Sequence, residues 1–307
     1  MHIVDVFNAR RTTFSFEFFP PKSDQAAADL FESIRDLESL HPAWVSVTYG
    51  AGGGTRARTH DLVVRIQQTT GLDPMPHLTC IYHTEAEIYD ILEVYANAGV
   101  SNILALGGDV PKDKPDYDRS RDSFRYATQL VRFIRQFKDK HAGRAIKDPR
   151  GFGIGVAGFP EGHHETPNRL QEMDHLKAKI DAGADLIVTQ LFFENRDFYD
   201  FRDRCEIAGI KVPIIAGVMP ITSLGGMKTI AELALGARIP APLLRAVERC
   251  KGNAEAIKRV GVHWATEQCR DLLDRQVRGL HFYTLNRSTA TREIYANLGV
   301  TDSLSLA

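Results

Sequence analysis

The sequence predicts an α/β protein, a (β/α)8 barrel of the TIM type, and three observations carry that prediction. Eight short, apolar, β-rich segments are separated by stretches of helical period. Most of the eight are continuous apolar runs rather than alternating ones, as parallel strands covered by helices require. A weak repeat, NAGVSNILAL, DAGADLIVTQ and IAGIKVPIIAG, puts a helix end, a glycine and a strand in succession, the pattern of consecutive βα steps. An open doubly wound sheet is the alternative, and it is weakened because no GxGxxG follows the first strand. No linker or change of composition divides residues 1–307, so one barrel domain is expected.

The first strand, FSFEFF from Phe14, stops at two prolines. Its alternation sets Phe14, Phe16 and Phe18 on one face and Ser15, Glu17 and Phe19 on the other. The remaining strands are WVSVTY from Trp44, MPHLTC from Met75, NILALGGD from Asn102, GIGVAGFP from Gly153, LIVTQLFF from Leu186, PIIAGVMP from Pro213 and LHFYTLN from Leu280. Ser23 or Asp24 caps a helix running to about Leu40. Thr84 with Glu87 forms a capping box, and Asn168 caps another helix. Helices also fit 56–70, 120–141, 195–208, 253–278 and 288–298. Gly99, Gly183 and Gly209 stand where a left-handed helix end is wanted. The longest interval between strands, 221–278, predicts extra helices between strands seven and eight.

With 38 Lys plus Arg against 39 Asp plus Glu, the net charge of −1 offers no basic surplus for nucleic acid or an acidic membrane. No apolar run is long enough to span a bilayer. MHIVDVFNARR lacks the apolar core of a secretory signal. The four cysteines, Cys80, Cys205, Cys250 and Cys269, show no zinc or CxxC spacing. A cytoplasmic protein is expected, and a homo-oligomer is compatible with the sequence.

In a barrel the working face lies at the C-terminal ends of the strands. The unusual polar residues collect there: Glu17, Thr48, Tyr49, His77, Thr79, Asp109, Glu161, His163, Gln190 and Arg287. Burial of Glu17 in an aromatic strand is expected to raise its pKa and keep it protonated, as a general acid requires. A salt-bridged or solvent-facing glutamate is the plainer reading. AGGG at 51–54 reads as a flexible turn rather than a Walker A loop. In EGHHE, adjacent strand histidines would point to opposite sides, so no metal site is expected. Glu172, His175 and Lys179 share one helix face, which fits either a surface pairing or a cation aimed at a phosphate or ribose.

Together these segments resemble the methylenetetrahydrofolate reductase family. The resemblance rests on FSFEFFPPK, VSVTYGAGG, PHLTC, GDVP, AGFPEGH, LKAKIDAGAD, TQLFF, FRDRC and HFYTLNR, in the family's order from about Phe14 to Val300. It is closest to the short bacterial type without a C-terminal regulatory domain. It implies a barrel that holds FAD and reduces 5,10-methylenetetrahydrofolate to 5-methyltetrahydrofolate by ping-pong hydride transfer from NADH or NADPH. Glu17 then matches the acid that protonates N10 of the folate, and Asp109 the carboxylate near flavin and pterin. Gln190, Tyr283 and Arg287 match substrate contacts. Thr48, His77, Gly108, Asp109, Ala127, Phe159, His163, Glu172 and Lys179 match flavin-contact positions.

Four positions depart from the family pattern. Phe159 replaces a common tyrosine and Glu172 a common aspartate. Gly107 stands where the family has an arginine that contacts FAD, and Gly226 where some members have a glutamine. Gly107 keeps two alternatives in view: a flavin-free member with direct hydride transfer, and a folate-binding partner subunit without turnover.

Overall fold

The computed structural model describes residues 1–49, 56–110, 116–141, 146 and 148–306. The glycine-rich turn at 50–55 and the proline of GDVP lie outside the described residues. Eight parallel strands close into a barrel in sequence order: β1 (Thr13–Phe18), β2 (Trp44–Val47), β3 (Pro74–Thr79), β4 (Asn102–Leu106), β5 (Gly153–Gly158), β6 (Leu186–Thr189), β7 (Ile214–Val218) and β8 (Gly279–Tyr283). The predicted strands run on too far at their C-terminal ends. GGD, QLFF and TLN are irregular, and these ends form the mouth.

A helical layer surrounds the strands: α1 (Ile3–Ala9), α2 (Asp24–Glu38), α3 (Arg56–Thr69), α4 (Glu85–Ala98), α5 (Ala127–His141), α6 (Arg169–Asp181), α7 (Asn195–Ile207), α8 (Leu224–Leu233), α9 (Ala241–Arg249), α10 (Ala254–Asp274) and α11 (Thr289–Leu298). Ser23 caps α2, Thr84 and Glu87 form the capping box of α4, and Asn168 caps α6. As expected, the additional helices α8, α9 and α10 lie between β7 and β8.

The helix expected over 120–141 begins only at Ala127. Before it, the Asp122 carboxylate accepts bonds from the Tyr82 amide and the Tyr117 hydroxyl, and Gln129 Oε1 accepts the Arg125 and Tyr126 amides. Those bonds hold a single 3-10 turn at Arg119–Arg121 in place of the longer helix. The short α1 is too brief for periodicity to reveal. It seals the N-terminal end of the barrel, where Ile3, Val6 and Phe7 pack on Trp44, Met75, Leu104, Leu186, Val188 and Ile215.

β1 shows how the two sides of a strand divide the work. Phe14, Phe16 and Phe18 are fully buried outward against the helices, with Phe14 edge-on to Phe282 and Tyr295 at 5.7 and 4.9 Å. Ser15 and Glu17 turn inward. The register pairs Glu17 with Ser46 on β2 and with Tyr283 on β8. Among the described residues no helix is long and apolar enough to cross a membrane.

Candidate active site

Glu17 stands at the inner end of β1 and is 5% exposed. Its Oε2 lies 3.2 Å from His77 Nε2 and 3.6 Å from His281 Nε2, and it accepts a 3.3 Å bond from Ser46 Oγ. His281 is fully buried. Its Nδ1 is 2.8 Å from Ser15 Oγ, its Nε2 is 3.3 Å from Ser46 Oγ, and its ring stacks on Trp44 at 4.8 Å. Four strands thus bring one carboxylate, two imidazoles and two hydroxyls to one point.

The expected upward pKa shift of Glu17 is corrected by these neighbours. Burial does push the carboxyl up, but hydrogen bonding and charge from His281 and His77 outweigh it and hold it down at about 2. Burial in turn lowers the pKa of His281, against the opposing pull of Glu17. The cluster therefore holds Glu17 as an anion.

A second cluster lies across the mouth, at the ends of β5 and α6. His163 donates its amide to Glu172 Oε1 at 3.1 Å, and its ring meets Phe159 edge-on at 4.6 Å. Lys179 donates to the Ala157 carbonyl at 2.7 Å. Burial lowers the Lys179 amine to about 8, while the charge of Glu172 acts upward. Burial also lowers His163, with the Asp109 charge acting the other way. Asp109 itself is exposed just beyond β4.

Between the clusters, Thr48 follows β2. Its amide donates to the Phe18 carbonyl, and its hydroxyl is buried without a hydrogen-bond partner. Gly108 adopts φ +77°, and a Cβ there would come within 2.6 Å of Ile81, so only glycine fits this approach to the end of β3. Gly107 differs, because a Cβ there would meet nothing within 4 Å. Gln190 Oε1 accepts the Leu191 amide, which leaves the Gln190 NH2 group for another partner. The Tyr283 hydroxyl donates to the Thr189 carbonyl at 2.8 Å.

Ala127 opens α5 and Arg287 is an exposed side chain beyond β8. The structure gives neither a polar side-chain contact with the two clusters. Glu161 is engaged in an ion pair. It pairs with Arg238, from which it accepts the amide and Nε, and lines a cleft of about 520 Å³ with Arg169, Asp197 and Arg204. His163 and His164 do not point apart. Their segment is a turn, and the rings stack at 4.8 Å.

Ser15, Ser46 and His281 were not singled out in the sequence. Their signal was a polar residue at period two inside an apolar strand, the same signal that marked Glu17.

A closed parallel barrel with an ionisable cluster at its C-terminal mouth defines a (β/α)8-barrel enzyme. The family follows from comparison. Residues 2–299 match the family model described as methylenetetrahydrofolate reductase, and the chain belongs to that family. The 5,10-methylenetetrahydrofolate reductase of Escherichia coli (strain K12) is 39% identical over 94% of this chain and 92% of its own length. Methylenetetrahydrofolate reductase (NADH) 1 of Arabidopsis thaliana is 38% identical over 100% of this chain, which spans 52% of that relative. A solved structure from Clostridium thermocellum, described as binding two copies of 5-methyl-5,6,7,8-tetrahydrofolic acid, shares the fold. Its TM-score is 0.63 at 12% identity, covering 97% of this chain and 98% of its own.

Proposed function

We propose that this chain reduces 5,10-methylenetetrahydrofolate to 5-methyltetrahydrofolate, with NADH or NADPH as electron donor and FAD as the bound carrier. The observation that carries this reading is the Glu17 carboxylate, buried at the mouth beside two imidazoles. Opening the folate's five-membered ring requires a proton at N10, and Glu17 lies within 3.6 Å of two imidazoles at the mouth.

His281 can accommodate either state of the Glu17 carboxyl. With its proton on Nδ1, it donates to Ser15 Oγ, whose own hydrogen goes to the Leu280 carbonyl at 3.3 Å. With its proton on Nε2, it faces Ser46 and Glu17, and Ser15 donates to the bare Nδ1. Both tautomers and the imidazolium are therefore satisfied. Burial already acts upward on Glu17. A bound pterin that excludes water strengthens that push and favours the protonated carboxyl. Asp109 then binds the pterin's N–H donors, the Gln190 amide orients the ring, and Arg287 pairs with the glutamate tail.

The residues fit FAD. Thr48 has an orphaned hydroxyl, Lys179 a cation, and Gly108 a close backbone approach, and in this reading His77, Ala127, Phe159, His163 and Glu172 add further contacts. When bound, FAD supplies a ring that takes hydride from nicotinamide and passes it to folate. The bare Gly107 favours a second reading, direct hydride transfer without flavin.

Purified protein is expected to be yellow and to form 5-methyltetrahydrofolate from NADH and methylenetetrahydrofolate. Colourless protein with the same turnover, unaffected by added FAD, would establish the second reading. Folate binding without product at any FAD concentration would overturn both and leave a binding subunit.

A further inference from the structure

β1 and β8 pair through their backbones only as far as Glu17 and Tyr283. Beyond that point the chain after β8 turns away, and side chains continue the ladder. Thr284 Oγ1 donates to the Glu17 carbonyl at 2.6 Å. Asn286 Oδ1 accepts the Phe19 amide at 2.8 Å, and its Nδ2 donates to the Phe19 carbonyl at 2.9 Å. The side-chain amide of Asn286 thus mimics a peptide of a neighbouring strand.

The posture is costly. Leu285 and Asn286 take φ +49° and +61°, consecutive left-handed residues without a glycine. Such conformations are disfavoured, most of all for the leucine, and persist where surrounding contacts enforce them. Here the enforcing contacts are visible. The Asn286 amide donates to Thr284 Oγ1, its carbonyl accepts from Ser33 Oγ, and the Arg287 amide donates to the Thr284 carbonyl. On the far side of β1, the Phe18 carbonyl takes the Thr48 amide. The carbonyls of Glu17, Phe18 and Phe19 are therefore each fixed by a different group.

We infer that Asn286 and Thr284 are positioning residues. They clamp the β1 terminus so that the Glu17 carboxylate stays at its imidazole partners. The inference deepens the proposed folate reduction and rests on it. It also assigns a cause to the strain at 285–286 that packing alone does not supply, because Asn286 is bonded at both ends to the strand that carries the acid.

Three variants separate clamp from strain. Asn286→Gly removes the clamp and relieves the strained φ. Asn286→Ala removes the clamp and keeps the strain. Asn286→Asp keeps the acceptor for the Phe19 amide and loses the donor to its carbonyl. All three are compared with wild type for NADH oxidation by an artificial acceptor, for single-turnover folate reduction across pH, and for hydrogen exchange at the Phe19 amide.

Folate reduction is expected to fall about tenfold in the Gly and Ala variants, the weight of a lost buried hydrogen bond, and less in Asp. NADH oxidation should stay within about twofold of wild type, given that the clamp touches only the acid's strand. Phe19 exchange should quicken in Gly and Ala. If Asn286→Gly reduces folate as fast as wild type, or if both reactions fall together in every variant, the positioning role is wrong. A wild type that turns over no folate would sink the functional reading instead, and unchanged Phe19 exchange would still refute the clamp on its own.

Discussion

The two sides of the barrel mouth are built in opposite ways. On the side of β8, β1, β2 and β3, Glu17, His77, His281, Ser15 and Ser46 are buried and already in mutual contact. On the side of β4, β5 and β6, the polar groups are spaced apart. Gly107 leaves room for a side chain, and Lys179 reaches only a backbone carbonyl. The difference separates two tasks. A proton must be held in place between neighbours of fixed geometry, whereas a large cofactor needs openings with a few anchoring groups.

The largest test of this division is Glu17→Gln. It keeps the shape of the cluster and removes the titrating oxygen. Folate reduction is expected to fall by about 10²–10⁴, the range for a lost general acid. NADH oxidation with an artificial acceptor should be almost unaffected. Rapid-mixing kinetics of the two reactions on the same preparation check this, and a near wild-type folate rate would remove Glu17 from the acid role.

On the other side the expected change is in affinity. Lys179→Met retains much of the buried stem and deletes the cation. FAD binding should weaken by about tenfold or more, since a charge-assisted hydrogen bond contributes about 1.5–3 kcal/mol. Fluorescence titration of the apoprotein with FAD gives the dissociation constant. If affinity is unchanged, Lys179 does not face the cofactor.

Gly107→Arg probes the same side by addition. A Cβ at that position meets nothing within 4 Å, so the backbone accepts a side chain. A guanidinium there is expected to tighten FAD about tenfold, less if the long side chain loses much rotamer freedom. The same titration reads the result, and weaker binding would show that the space serves something other than the cofactor.

How far these two sides were legible in the sequence follows from the range of the forces involved. The strands announced themselves as apolar runs bounded by Gly, Pro and Asn, and their order closed the barrel. Glu17 and His77 were visible as lone polar residues in such runs. Ser15, Ser46 and His281 gave a similar signal, but their convergence depends on register, which brings Glu17 opposite Ser46 and places Ser15 beside His281. The strained pair Leu285–Asn286 carried no mark, because a leucine rarely signals a left-handed turn. The pKa of Glu17 was misjudged for the same reason: burial is read locally, and the histidines that oppose it come from β3 and β8.

That reversal gives the smallest effect and the most direct measure of the acid side. The folded-state pKa of Glu17 is about 2, below its ordinary value of 4.5. A depressed carboxyl stabilises the fold above its unfolded pKa, and that contribution disappears as pH falls from about 4.5 through about 2. His281 is depressed as well, so the unfolded chain takes up its proton first. Its contribution begins to fade below about 6.5 in wild type. In Glu17→Gln the loss between pH 4.5 and 2 should be missing, so the stability gap between the two proteins should shrink steadily over that window. Urea midpoints measured at steps of pH follow the gap. A gap that stays constant from pH 4.5 to 2 would mean that the imidazoles do not hold Glu17 down, and the plain effect of burial would be restored.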